Sequence, residues 1–248
     1  MGKACGNRDA GKLIPRATLA ALALSASAAS AQTPVALELV LAIDTSTSVD
    51  DSEFELQQQG LANALTSSEV LQAIELNGAR GVAIMVMQWS GDSAQFVSVP
   101  WTRLTSAPEV VDFAEKIRTS QRLTYGFTDV AGALNFSRDQ LNSNAWLGER
   151  RVIDVSGDGT ASNNLSAPAR DAAVAEDITI NGLVIFNIEY DLGELAEIDL
   201  VQHYTNEVIG GPGAFLMTAA SFKDFEDAMR KKLAREIGGA LFTQIIAD

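Results

Sequence analysis

Asp44, Ser46 and Ser48 stand at alternate positions in "AIDTSTSVDDSEFE" (42–55), directly behind the apolar run "VALELVLAID" (35–44). A buried strand that ends on a carboxylate and passes straight into hydroxyls serves one of two purposes. Its oxygens satisfy the free N–H groups of the following helix, as an N-cap does, or they converge on a ligand. Carboxylates and neutral hydroxyls are hard donors that suit Mg2+, Mn2+ or Ca2+ and no soft metal. Asp50 and Glu53 have the spacing of an N-cap and its N3 partner, so they and Asp51 fit the first role. A phosphate site is a poor fit: Asp44, Asp50 and Asp51 set negative charge against it, and no basic residue lies nearby in the sequence. Two other stretches carry oxygen donors beside strand or helix ends. Thr124 and Thr128 lie in "SQRLTYGFTDVAGAL" (120–134), and Asp158 lies near the end of "RRVIDVSGDG" (150–159).

The elements that must position these groups read as an alternation of strands and helices. Apolar runs at Leu37–Ile43, 81–90, 150–157, 178–186 and 213–219 have strand length. "AQFVSVPW" (94–101) reads as a short antiparallel edge strand, since Pro100 lacks the N–H that a central strand needs. Helices are expected from about Asp50, at about 107–119, 129–141, 166–176 and 193–207, and at the end. There Phe222, Phe225, Met229, Leu233 and Ile237 form one apolar face, Ser221 caps the start, Lys231, Lys232 and Arg235 suit the C-terminal end of the dipole, and Gly238–Gly239 stop it. This is the signature of a doubly wound, Rossmann-like α/β fold: a mostly parallel sheet with helices on both faces. In the usual strand order 3-2-1-4-5-6, Asp44 and Asp158 face one crevice at the carboxyl edge, and the loop before the 129–141 helix opens on the same edge.

Asp44-Thr45-Ser46-Thr47-Ser48 resembles the D-x-S-x-S motif of von Willebrand factor type A domains. Thr128, opening "TDVAGAL", is similar to the family's second element, and Asp158-Gly159 to its third. The likeness runs from about residue 36 to 238. It implies a metal-ion-dependent adhesion site with Asp44, Ser46, Ser48, Thr128 and Asp158 as its residues, holding a divalent cation, Mg2+ first and Mn2+ or Ca2+ otherwise. One position departs from the pattern: Gly157 stands where the family often has threonine. "VIGGPGAF" (208–215) and "KLAREIGG" (232–239) carry a closer likeness to secreted bacterial type A domains catalogued as a domain of unknown function.

Residues 1–31 read as a secretory signal peptide cleaved after Ala31. Lys3, Arg8, Lys12 and Arg16 precede the short apolar run "ATLAALALSASAA", which ends in the small-x-small pattern Ala29-Ser30-Ala31. Residues 32–248 then form a single domain, periplasmic or extracellular. Cys5, the one cysteine, falls inside the signal. The formal charge of −14 becomes −17 once that segment, with four basic residues and one acidic, is gone. Such a surface repels nucleic acid and anionic lipid and attracts divalent cations. No later apolar run reaches the ~18 residues of a spanning helix, so membrane insertion of the mature chain is not expected. His203 is the only histidine and no nucleophile elbow accompanies it, which argues against an enzyme. Asp154 interrupts a strand that should be apolar; Arg150, Arg151 or a strand edge would account for it. The expected function is binding of a protein that presents a carboxylate to the cation. A metal-dependent hydrolase, and a structural subunit whose metal only stabilises the fold, are the alternatives.

Overall fold

A computed structural model of the chain describes residues 1–3, 31–160, 165–186 and 194–245. The expected signal peptide rests on residues 4–30, outside the described residues. Every element below lies in the unit Ala31–Asp248.

Six strands form one sheet in the order β3-β2-β1-β4-β5-β6. They are β1 (Thr33–Asp44), β2 (Val82–Trp89), β3 (Gln95–Leu104), β4 (Trp146–Gly157), β5 (Ile178–Ile185) and β6 (Leu216–Ala219). All neighbours run parallel except β3, which lies antiparallel to β2 at the edge and tolerates Pro100 there. Strand order, direction and edge therefore agree with the pattern of the sequence. β4 begins at Trp146 rather than near 150, because Thr33–Val35 of β1 extend the pairing back to Trp146–Gly148.

Helices cover both faces. Leu37, Leu39, Leu41 and Ile43 of β1 point into a layer with α1 (Asp51–Leu65), α2 (Ser68–Leu76), α3 (Ala107–Arg118) and α7 (Phe225–Ile245). Val40 and Ala42 point the other way, towards α4 (Val130–Asn142), α5 (Ser166–Val174) and α6 (Glu194–His203). This explains why β1 is buried without interruption from Val35 to Asp44.

Two expectations about helices need correction. A separate α2 follows α1, because Ser67 accepts from the Val70 N–H and starts a new helix after only two residues. The final helix is not stopped at Gly238–Gly239: Gly239 has φ of 64°, which breaks the helix, and helical residues resume to Ile245. Nor does the Ser221 side chain accept a backbone N–H at the start of that helix; its hydroxyl donates to the Asp224 carboxylate, and a short 3-10 turn, Phe222–Asp224, precedes α7.

Candidate metal centre

The register puts the ends of β1, β2 and β4 level at the carboxyl edge of the sheet. Asp44 pairs with Trp89 of β2, and Ile43 with Ser156 of β4. The order reverses between β1 and β4, so the crevice of a doubly wound sheet opens there. Asp44 is fully buried at its floor. One carboxylate oxygen, Oδ1, accepts from the Ser46 backbone N–H at 2.7 Å. The other, Oδ2, is buried without a hydrogen-bond partner among the described residues.

Three of the other candidate residues are linked to one another. Ser46 Oγ and Ser48 Oγ are 3.1 Å apart, and Ser48 Oγ donates to Asp158 Oδ1 at 2.7 Å. Thr128 reaches the same corner: its Oγ1 is 3.1 Å from where a Cβ would stand on Gly159. A side chain there would press on the threonine, which gives the glycine after Asp158 a steric reason. Thr124 has a different task, since its hydroxyl is 2.7 Å from Ser90 Oγ, bracing the loop after β2. Burial, first, and the nearby charge of Asp158, second, raise the Asp44 pKa to about 7. Two carboxylates thus share one pocket in which a positive charge would be welcome.

Asp50 and Glu53 form the expected capping box on α1, each side chain bonding the other's backbone N–H. Asp51 does more than face the helix dipole. It accepts from the Tyr125 hydroxyl at 2.7 Å and lies 3.4 Å from Arg122. Arg122 itself corrects the expectation of no cation nearby. Its Nη2 donates to the carbonyls of Thr45, Ser46 and Val49 at 2.9, 3.0 and 2.7 Å, while its guanidinium sits 3.7 Å from the Tyr125 ring centroid. It thus serves the backbone of the Thr45–Val49 segment and, among the carboxylates, reaches Asp51. Thr47 ties the two loops together from the other side, donating through both N–H and hydroxyl to the Gly126 carbonyl. The tip of the 120–128 loop is apolar and open: Leu123, Tyr125 and Phe127 are 44%, 60% and 84% exposed.

Asp154 belongs elsewhere. It pairs with Lys232 of α7 at 2.7 Å, both of them buried, and not with Arg150 or Arg151. Lys232 also meets Glu236 at 2.5 Å, and Asn181 donates to the same Glu236 oxygen at 2.8 Å. Lys232 therefore serves the core and not the exposed end of the helix. Burial, then Asp154, pushes Glu236 up to about 8. Arg150 donates to the carbonyls of Glu236 and Ile237, just before the break at Gly239. His203 is held near Glu207 at 3.4 Å, and burial lowers its pKa.

Comparison with known proteins adds a family and a set of folds. The model of the family described as Protein of unknown function (DUF1194) matches residues 34–241. No curated protein matches the chain significantly. Among solved structures, proximal thread matrix protein 1 from the mussel byssus, with zinc occupying its metal-ion-dependent adhesion site (MIDAS), superposes with a TM-score of 0.59 at 16% identity. The match covers 84% of this chain and 49% of the mussel protein, so the chain spans about half that protein's length. The von Willebrand factor domain of the type V pili tip protein Mfa5 from Porphyromonas gingivalis gives 0.53 at 15% identity, over 82% of this chain and 95% of that one. The pilus adhesin SpaC from Lactobacillus rhamnosus GG gives 0.56 at 14%, over 84% and 31%. At these identities the likeness is one of fold.

Proposed function

Because the chain belongs to the DUF1194 family and is a von Willebrand A-type domain, we propose that it binds a partner protein through a divalent cation held at the crevice between β1 and β4. The cation's residues are Asp44, Ser46, Ser48, Thr128 and Asp158. The observation that carries this reading is the buried Asp44 Oδ2, which has no partner among the described residues and shares its pocket with Asp158. A helix cap does not account for it, since Asp50 already performs that task for α1.

The donor set fits a hard dication. Three hydroxyls and two carboxylates are all oxygen, and two carboxylates balance its charge. Bound there, the cation would act as a Lewis acid with a coordination position left for an outside oxygen. The chain's own groups do the rest. The Ser46 N–H orients the Asp44 carboxylate, the Ser48–Asp158 bond orients the second, and Arg122 fixes the loop that carries three of the five residues. Mg2+ is the ion we assign, with Mn2+ or Ca2+ as substitutes; the mussel structure's zinc shows that a related fold accepts a divalent ion.

The partner's contribution is a carboxylate, the ligand that completes an electrophilic oxygen-rich site in a protein too acidic to hold a loose anion. Phe127, next to Thr128 and open to solvent, offers that partner an apolar contact beside the ion. Export through residues 1–31 and work outside the cytoplasm complete the reading; adhesive and pilus proteins share the fold. A hydrolase is the second reading, and it lacks a base: the single histidine, His203, is engaged with Glu207. A domain whose ion merely stabilises the fold is the third.

Immobilised wild-type protein offered an extract of its own producing cell should retain a partner with Mg2+ and release it to chelator, and Asp44→Ala should retain none. Retention that survives chelator contradicts the proposal. Metal-dependent product in a turnover screen would instead favour the hydrolase.

A further inference from the structure

Tyr204 has unusual surroundings for a buried polar side chain. It opens a π-helical turn, Tyr204–Val208, directly after α6, a local irregularity that proteins place at functional sites more often than elsewhere. Its side chain is fully buried, yet its hydroxyl has no hydrogen-bond partner among the described residues. Buried tyrosines ordinarily satisfy that group.

The ring reaches its position over two glycines on adjacent strands. A Cβ on Gly182 of β5 would stand 3.1 Å from Tyr204 Cδ1, and one on Gly157 of β4 would stand 2.6 Å from the hydroxyl oxygen. The same Cβ on Gly157 would lie 2.8 Å from Asp44 Oδ2. The tyrosine hydroxyl and the unpartnered carboxylate oxygen therefore both lie at the place a Gly157 side chain would fill, no farther apart than the sum of those two distances. Neither has a hydrogen-bond partner among the described residues; one is a donor, and the other, a carboxylate oxygen with more than one lone pair, can accept from it and still face a cation.

We infer that Tyr204 is a positioning residue of the metal centre: its hydroxyl, admitted by the missing side chain at Gly157, is the second anchor of the Asp44 carboxylate. Ser46 N–H holds Oδ1 at 2.7 Å; Tyr204 O–H holds Oδ2 through one water, which requires polar partners of this kind. The carboxylate is then fixed at both oxygens without added charge, and a dication meets it already oriented. Outer groups that orient a ligand contribute strongly to metal affinity.

This inference rests on the cation reading, and the test separates the two. Mn2+ affinity is measured from the resonance of free Mn2+ for the full-length wild type, Asp44→Ala and Tyr204→Phe, alongside their melting temperatures in chelator. Tyr204→Phe removes one hydroxyl and keeps the packing. It should weaken Mn2+ binding by about tenfold or more, while the metal-free melting temperature stays level or rises, because an unpartnered buried hydroxyl is gone. Mn2+ binding by Tyr204→Phe within twofold of wild type overturns the inference. So does a clear fall in its metal-free melting temperature, which would make Tyr204 a structural residue. If wild type itself takes up no Mn2+, the cation reading falls and this role falls with it. If wild type binds, Asp44→Ala does not, and Tyr204→Phe is unchanged, only the role of Tyr204 is lost.

Discussion

At the scale of single residues, Asp44 separates a metal ligand from a helix cap. Burial and Asp158 raise its pKa to about 7, so in metal-free protein its ionised form is a liability. A carboxylate raised in this way contributes stability at low pH that is lost as pH rises through about 7. Asp44→Asn keeps an acceptor for the Ser46 N–H and removes the charge. Chemical denaturation in chelator at pH 8 should find it no less stable than wild type, with a gain of up to about 2 kcal/mol from the lost unpaired charge. The rise in stability that Mg2+ gives the wild type should vanish in the variant. A loss above 2 kcal/mol in chelator would make the carboxylate structural. Phe127 answers a different question. Phe127→Ser removes a side chain 84% exposed, so the melting point should hold while partner affinity falls about tenfold, measured by surface binding. Asp44, Ser46 and Ser48 were legible as candidates because two-residue spacing behind a strand is a local pattern, and Asp158 because it directly follows another strand. Arg122 and Tyr204 were not. Each acts on a residue far away in sequence, through a contact that only the closed sheet creates, and no spacing announces it.

At the scale of elements, the 120–128 loop and α7 carry the consequences. Arg122 satisfies three carbonyls of the Asp44–Val49 segment with one nitrogen, packed over Tyr125. Arg122→Ala should cost about 2 kcal/mol or more, since carbonyls are left without donors, and Arg122→Lys should recover little of it, because a point charge cannot fork. Urea denaturation of both variants checks this; full rescue by lysine would show that charge alone is needed. On α7, Glu236 sits with Lys232 and Asp154 in the core, with Arg150 on its carbonyl and Asn181 on its carboxylate. Its pKa is raised to about 8 from 4.5, so the folded state holds a proton that the unfolded chain gives up earlier. Stability from that group is complete below about 4.5 and lost as pH rises through about 8. Glu236→Gln should therefore flatten the fall of melting temperature across that window, and it should gain on wild type most above pH 8. Equal slopes for the two proteins would refute the assignment. The strand order and the edge strand were legible from apolar runs and Pro100. The split between α1 and α2 was missed because Thr66 and Ser67 interrupt the helical pattern too briefly, and the continuation past Gly239 because one positive φ kinks a helix as readily as it ends one.

At the scale of the whole molecule, an acidic chain of charge −14 draws divalent cations to its surface without any site. None of its described helices is long and apolar enough to cross a membrane. Three of the five candidate residues offer neutral hydroxyls, so charge alone does not mark the place; among the described residues no group of three or more His, Cys, Asp or Glu is arranged to hold a metal. What distinguishes the crevice is geometry: the reversal of strand order, the level ends of β1 and β4, and a buried carboxylate oxygen beside Gly157. Stability follows binding by mass action, about 2.7 kcal/mol at 100 times the dissociation constant, which for a domain of this size moves a melting point by several degrees. Surface ions also raise melting points, so the most direct measurement counts ions. Isothermal titration of the full-length protein with Mn2+ in about 0.15 M salt, which screens surface charge, should give one saturable site per chain. Asp44→Ala and Asp158→Ala should each lose it. Saturable uptake that both variants keep, or none in the wild type, would contradict the metal centre on which the proposed function stands.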